Sequence, residues 1–224
     1  TYNGIINMFT RNQSGHIQVH HKEYLERPSL YKTIGDVNEL EAVLGKMERV
    51  VDWTPRLYAA GLASVGDKSA GIKIVGLDPV KEIKAMGFND RVVDGRVFGA
   101  GSSDEAIMGK GLAKLLKAKV NDEVVIVSQA ADGSIANEKY TVVGIMDSGN
   151  EMRDRMGFYI PLQAAQELFV MEGRIHEVAI IVDHLDDVEG VTRELSGVLK
   201  TKAPNLAVEP WQVFARSFYI AMKA

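Results

Sequence analysis

The sequence contains no cysteine, which removes disulfides, thiolate metal sites and cysteine nucleophiles together. It also lacks a strong charge of either sign. Its 26 basic and 30 acidic residues are interspersed and leave a net charge of −4, so no electrostatic footprint for a nucleic-acid backbone is present. No apolar run reaches the ~20 residues of a membrane span, and no segment has the charged start, apolar middle and small-residue cleavage site of a signal peptide. Neither a Gly-x-Ser-x-Gly elbow nor a His-Glu-x-x-His pair occurs. A non-enzymatic chain with no cofactor and no nucleic-acid partner is expected. The sequence opens on Thr1 rather than Met, which reads as an excised piece or a processed product.

What is present is a chain of 224 residues, 46% hydrophobic, long enough for one sizeable core or two small ones. Its organising stretch is Tyr140–Phe169. Thr141–Met146 is β-branched and apolar enough for a buried strand, Asp147, Gly149 and Asn150 form a turn, and Phe158–Ile160 is a second, shorter strand. Pro161 fits the first turn of a helix carrying Leu162, Ala165, Gln166, Leu168 and Phe169.

Upstream, His16–His21 alternates as a strand, with Ile17 and Val19 on one face. Asp36, with Glu39 three residues on, caps a helix to Met47 whose apolar face is Val37, Leu40, Val43, Leu44 and Met47. An extended segment, Val50–Ser64, is interrupted at Pro55, turns at Gly66–Lys68 and returns as Ile72–Leu77. Asp78-Pro79 is a break, followed by a polar, glycine-rich region from Gly87 to Ser103. Then come a strand at Ala106–Met108, a helix over 110–118, a strand at Glu123–Gln129 and a turn at Ala131–Gly133. Glu177–Val182 reads as a buried strand. A helix over 186–200, with Asp186 and Glu189 repeating the earlier cap, buries Val188, Val191, Leu195, Val198 and Leu199. Pro204 and Asn205 end it, and Leu206–Val208 returns as a strand closed by Pro210. The second strand–helix–strand unit echoes the first. An α+β, two-lobed fold is expected, with a main lobe from both ends of the chain and an inserted, mostly-β subdomain.

The two ends carry apolar residues at helical spacing: Ile5, Ile6, Met8 and Phe9 at the front, and Phe214, Phe218, Tyr219 and Met222 at the back. One reading makes them stubs of membrane helices, the other terminal helices packed on the core. The candidate chemistry is thin. His16 and His20 on one strand lie ~13 Å apart at ~3.3 Å per residue and His21 points the other way, too far for one zinc; His176 and His184 are remote in sequence. Gly99-Ala-Gly101 lacks the third glycine of a phosphate loop, and Gly109-Lys-Gly111 opens a helix, where flexibility at the helix entry is the plain reading. Asp147, Glu151, Asp154 and Glu167 alternate with Arg153 and Arg155 as a solvated surface would. Met146, Met152, Met156 and Met171 cluster around the organising stretch, and methionines can line surfaces that accept variable apolar partners. No catalytic residue, cofactor site or metal site is assigned.

Three segments carry a family resemblance. In the organising stretch these are Val143-Gly-Ile145, Ser148-Gly-Asn150, Tyr159-Ile-Pro-Leu162 and Ala165-Gln-Glu-Leu168. The second is Ser14–Ile34, and the third is MGKGLAKLLKAKVNDEVVIV over 108–127. Together they resemble the MacB-like periplasmic core domain of FtsX-type ABC transporter permeases, and Ser14–Ile34 is similar to the lipoprotein-releasing, LolC/LolE-like branch. The resemblance implies a porter-like main lobe over 1–78 and 170–224 and a sabre-like insert over 79–169. It also implies a periplasm-facing domain anchored in the cell inner membrane. The partners implied are transmembrane helices of the same permease, a cytoplasmic ABC ATPase subunit, a second permease copy as homo- or heterodimer, and a lipoprotein or periplasmic protein. Its work would be transport coupling without chemistry. A MacB-like efflux domain and a free-standing ligand-binding module are the competing expectations.

Overall fold

The computed structural model describes residues 2–223. In chain order the first elements are α1 (Tyr2–Phe9), a π-helical turn Thr10–Ser14, β1 (Ile17–His21), α2 (Val37–Gly45), β2 (Val50–Val65), β3 (Lys68–Leu77) and α3 (Pro79–Met86). Next come β4 (Val92–Gly95), β5 (Glu105–Gly109), α4 (Lys110–Leu116), β6 (Glu123–Gln129), β7 (Ile135–Met146), α5 (Glu151–Met156), β8 (Gly157–Pro161) and α6 (Leu162–Leu168). The chain closes with β9 (Glu177–Val182), α7 (Val188–Lys202), β10 (Leu206–Pro210), α8 (Trp211–Phe214) and α9 (Arg216–Lys223). The α+β class expected from the pattern is the class observed.

Two compact units divide these elements. The first holds the chain up to Pro55, Lys84–Met86 and the chain from Ile175 onward; the second holds Arg56–Ile83 and Gly87–Arg174. Residues 56–78, which the sequence pattern grouped with the terminal segments, therefore lie with the second unit. Strand pairing is the reason: β3 runs parallel to β8 from Lys73↔Gly157 to Leu77↔Pro161, and β2 pairs with β6 at Leu62↔Val127. Pro55 does not interrupt the extended segment. β2 passes through it as one strand, and the division between units falls immediately after it.

In the first unit β1 lies between β10 and β9, antiparallel to both, with Ile17 opposite Pro210 on one side and Ile180 on the other. All six residues of β9 are buried, and Gln18 and His20 of β1 are buried along with Ile17 and Val19, so the alternation expected for β1 is replaced by burial on both sides. α7 packs on β10 and buries Val188, Val191, Leu195 and Leu199. The end of α3 adds Ala85 and Met86 against Ala179 and Ile181. Asp36 caps α2 as expected, its Oδ1 accepting from the Glu39 N–H at 2.9 Å. Asp186 does not cap α7. Leu185–Asp187 is a 3-10 turn leading straight into the helix, and the N-cap position falls on Asp187 with no side-chain cap.

In the second unit the pairings close on themselves. β2 pairs with β3, β3 with β8, β8 with β5, β5 with β7, β7 with β6, and β6 with β2. A closed cycle leaves its strands without free edges, and alternate residues point inward. Along β6, Val124 and Ile126 are fully buried while Val125 and Val127 are exposed. Tyr140 of β7 and Phe158 of β8 meet edge to face, centroids 5.7 Å apart, a geometry favoured by aromatic quadrupoles. α3 was not expected at Asp78-Pro79. There the Asp78 Oδ1 accepts from the Val80 and Lys81 N–H groups at 3.0 and 3.1 Å, Pro79 takes the first helical position, and Gly87 ends the helix at φ 61°. The Asp-Pro pair read as a break is thus a helix start.

Candidate functional site

The chain's two terminal helices meet. Phe9 at the end of α1 stacks on Phe218 of α9, centroids 4.3 Å apart and planes 16° from parallel. Trp211, buried at the start of α8, meets the Phe218 and Tyr219 rings in T-shaped arrangements at 6.3 and 5.4 Å. Ile6 turns into the core, while Ile5, Met8, Val213 and Ile220 leave apolar surface exposed. The two ends anticipated as stubs are helices that touch through the Phe9–Phe218 stack. No described helix is long and apolar enough to cross a membrane.

The organising stretch carries the second candidate surface. Residues 151–156 form α5, because the Asn150 side chain accepts from the Arg153 N–H at 3.0 Å and caps the first turn. Asp154 is buried and accepts from the Ser148 N–H at 3.0 and 3.2 Å with its two oxygens. Asp147 takes the Lys110 ammonium at 2.6 Å. That bond, with the Gly149 N–H, holds the Asp147 carboxyl below its usual range and raises Lys110 in turn. Glu151 is exposed, and Glu167 accepts from Gln163 at 3.2 Å. Asp147 and Asp154 thus close the same turn before α5, Asp147 also pairs with Lys110, and Glu167 makes a surface bond of its own. The methionines divide: Met146 and Met171 are core, whereas Met152 is 77% and Met156 45% exposed on α5.

Gly109 and Gly111 have a packing role. A Cβ at 109 would collide with the Asp154 carbonyl, and one at 111 would lie 3.1 Å from the Arg155 backbone, so the start of α4 is occupied by α5. Gly99-Ala-Gly101 lies in the loop before β5, closed by a Ser102 N–H bond to the Gly99 carbonyl at 3.1 Å. The histidines are dispersed. His20 Nε2 lies 2.9 Å from Glu177 Oε1, His176 bonds the Leu30 carbonyl at 3.0 Å, and the Tyr24 ring stacks between His20 and His176 at 5.4 Å from each. His21 accepts from the Glu23 N–H, and His184 pairs with Asp183 at 3.3 Å. Among the described residues no three metal-ligating side chains come together.

Sequence reasoning missed the buried pair of Arg56 and Glu82. The guanidinium meets the carboxylate twice, at 2.6 and 3.2 Å, with the residues 7% and 1% exposed. Arg91 lies nearby; burial lowers its pKa, and the Glu82 carboxylate raises it in opposition. Burial also pushes the Tyr159 phenol up. The available signal was Glu82 at the fourth position of an Asp-Pro-started helix, but α3 itself had not been read.

The described residues form an α+β fold in two units, with the terminal helices touching through the Phe9–Phe218 stack. Solved structures share this fold. The periplasmic region of MacB from Actinobacillus actinomycetemcomitans matches with TM-score 0.65 at 12% identity, over 91% of this chain and 92% of that one. The extracellular domain of the ABC-type transporter YknZ from Gram-positive bacteria matches with TM-score 0.61 at 15% identity, over 86% and 98%. A permease-protein domain from Porphyromonas gingivalis matches with TM-score 0.53 at 12% identity, over 89% of each chain. No protein of curated function matches the chain. The chain belongs to the MacB-like periplasmic core domain family, whose model matches residues 1–198. It is thus an extracytoplasmic, non-catalytic domain of a MacB/FtsX-like ABC transporter permease.

Proposed function

We propose that this domain faces the periplasm from the cell inner membrane and couples ATP-driven motion of its permease's membrane helices to the extraction or release of a lipoprotein or similar cargo. The observation that carries the mechanical part is the contact of α1 with α9 through the stacked rings of Phe9 and Phe218. A domain held at both ends by adjoining helices follows their displacement as a body, as coupling by rigid-body motion requires. The similarity of Ser14–Ile34 to the lipoprotein-releasing branch supports the cargo class. The partners on this reading are the membrane helices of the same permease, a cytoplasmic ATPase subunit, a second permease copy, and a lipoprotein or periplasmic acceptor. The porter-like and sabre-like roles belong to the first and second lobes, and the exposed Met152 and Met156 of α5 offer adaptable apolar contact to the cargo or acceptor. Depletion of the permease followed by fractionation tests this. Lipoproteins stranded in the inner membrane are the expected result; their normal release, with loss of small-molecule efflux instead, would move the assignment to the MacB-like efflux reading that the shared fold also supports.

A further inference from the structure

His16 bonds through all four of its polar atoms, and the four partners lie on the three segments that meet at the chain's ends. Its N–H donates to the Ile180 carbonyl at 2.8 Å and its carbonyl accepts from the Trp211 N–H at 2.9 Å. On the ring, Nδ1 accepts from the Val182 N–H at 3.0 Å. That bond assigns the proton to Nε2, which donates to Asn7 Oδ1 at 3.2 Å. Ile180 and Val182 belong to β9, Trp211 opens α8 and leads to α9, and Asn7 sits on α1. The residue is 1% exposed. Burial, with the Arg11 charge beside it, pushes the imidazole down to about 4, so the neutral ring that can both accept and donate is the form present near neutral pH.

The backbone leading into His16 is equally constrained. α1 runs into the π-helical turn Thr10–Ser14, a geometry often found where a helix serves a function. Thr10 Oγ1 donates to the Ile6 carbonyl at 2.7 Å, and Gln18 Nε2 donates to the Ser14 carbonyl at 2.7 Å. Gly15 closes the turn at φ 78°, its N–H on the Thr10 carbonyl, and a Cβ there would lie 3.0 Å from the Ile180 nitrogen.

We infer that His16 is the positioning residue through which both terminal helices are tied to β9, so that α1, α9 and the β10-β1-β9 sheet move as one body. This rests on the reading of the terminal helices as the connection to the membrane. Displacement entering along α1 reaches β9 through the imidazole, and displacement entering along α9 reaches it through Trp211 and the His16 carbonyl. The side-chain arm can be cut without touching the backbone arm: Asn7→Ala removes the acceptor, Asn7→Asp keeps one, and His16→Asn places an oxygen near Nδ1 but cannot reach residue 7.

The test uses the complete permease with its ATPase. This chain contributes no cysteine, so spin labels can be placed at Met8→Cys and Ile220→Cys, on exposed sites of α1 and α9. With residues 7 and 16 unchanged, one narrow inter-label distance that persists on nucleotide binding is expected. Asn7→Ala and His16→Asn should each add a second, longer distance when nucleotide binds, with ATP hydrolysis retained, and Asn7→Asp should restore the single distance. A narrow distance in both disrupted variants overturns the inference, as does failure of Asn7→Asp to restore it. If His16→Asn does not fold, the Asn7 pair still decides. The readout needs no cargo, so a failed lipoprotein assignment leaves it interpretable.

Discussion

Replacing Glu82 by Ala is the perturbation whose cost the structure sets most directly. The carboxylate is 1% exposed and accepts two bonds from Arg56, itself 7% exposed. Removing it takes two charge-assisted bonds from a guanidinium that is almost fully buried, beside Arg91, whose charge the same carboxylate stabilises. Breaking a buried pair at one partner costs about 3–5 kcal/mol, whereas replacing both partners by apolar side chains of similar volume is often neutral or stabilising. Against a typical domain stability of about 5–15 kcal/mol, Glu82→Ala should remove a large fraction of the second unit's margin. The paired replacement Arg56→Met with Glu82→Leu should recover most of it. Urea unfolding followed by far-ultraviolet circular dichroism reads both changes. Tryptophan fluorescence reads neither directly, since Trp53 and Trp211 lie in the first unit. A cost below about 1 kcal/mol for Glu82→Ala, near that of an exposed ion pair, would refute the reasoning.

Three further outcomes follow from particular contacts. Gly109→Ala forces a Cβ into the Asp154 backbone and should cost about 2–4 kcal/mol, whereas Gly99→Ala meets nothing within 4 Å and should stay within about 0.5 kcal/mol; thermal unfolding of the two variants compares them. His16 is about 4 when folded against an ordinary 6.5, so the unfolded chain binds its proton first. Its contribution, about 3 kcal/mol at one pKa unit per 1.36 kcal/mol, is present above pH 6.5 and lost as the pH falls toward 4. His16→Asn should flatten that part of the stability–pH curve, and an unchanged slope would show that the imidazole is not held neutral. Met152→Glu with Met156→Glu should leave folding within about 0.5 kcal/mol because both side chains are exposed, and should impair transport; intact transport in the folded double variant would remove α5 from the contact surface.

Local signals were legible wherever periodicity and capping acted within a few residues. The apolar run at Glu177–Val182 and the Asp36 cap appear as read, and the Gly66–Lys68 turn does join two paired strands, though the second already begins at Lys68. Two misreadings have local causes as well. Asp78-Pro79 suits either a loop or a helix start, and the bonds from the Val80 and Lys81 N–H groups to Asp78 show which was chosen. Asp186 has the right spacing to Glu189 for a cap, but the Leu185–Asp187 turn displaces it from that position.

The sequence by itself determined the α+β class, most strands and helices, the lack of thiol chemistry and the family, because composition, periodicity and short motifs are properties of neighbouring residues. Tertiary structure alone decided which strands share a unit, since the parallel partnership of β3 with β8 joins residues some eighty positions apart. It also decided the roles of Gly109, Arg56 and His16. Each role depends on atoms brought close only when distant segments pack: a carbonyl of α5, a carboxylate of α3, and an amide of β9 beside an asparagine of α1.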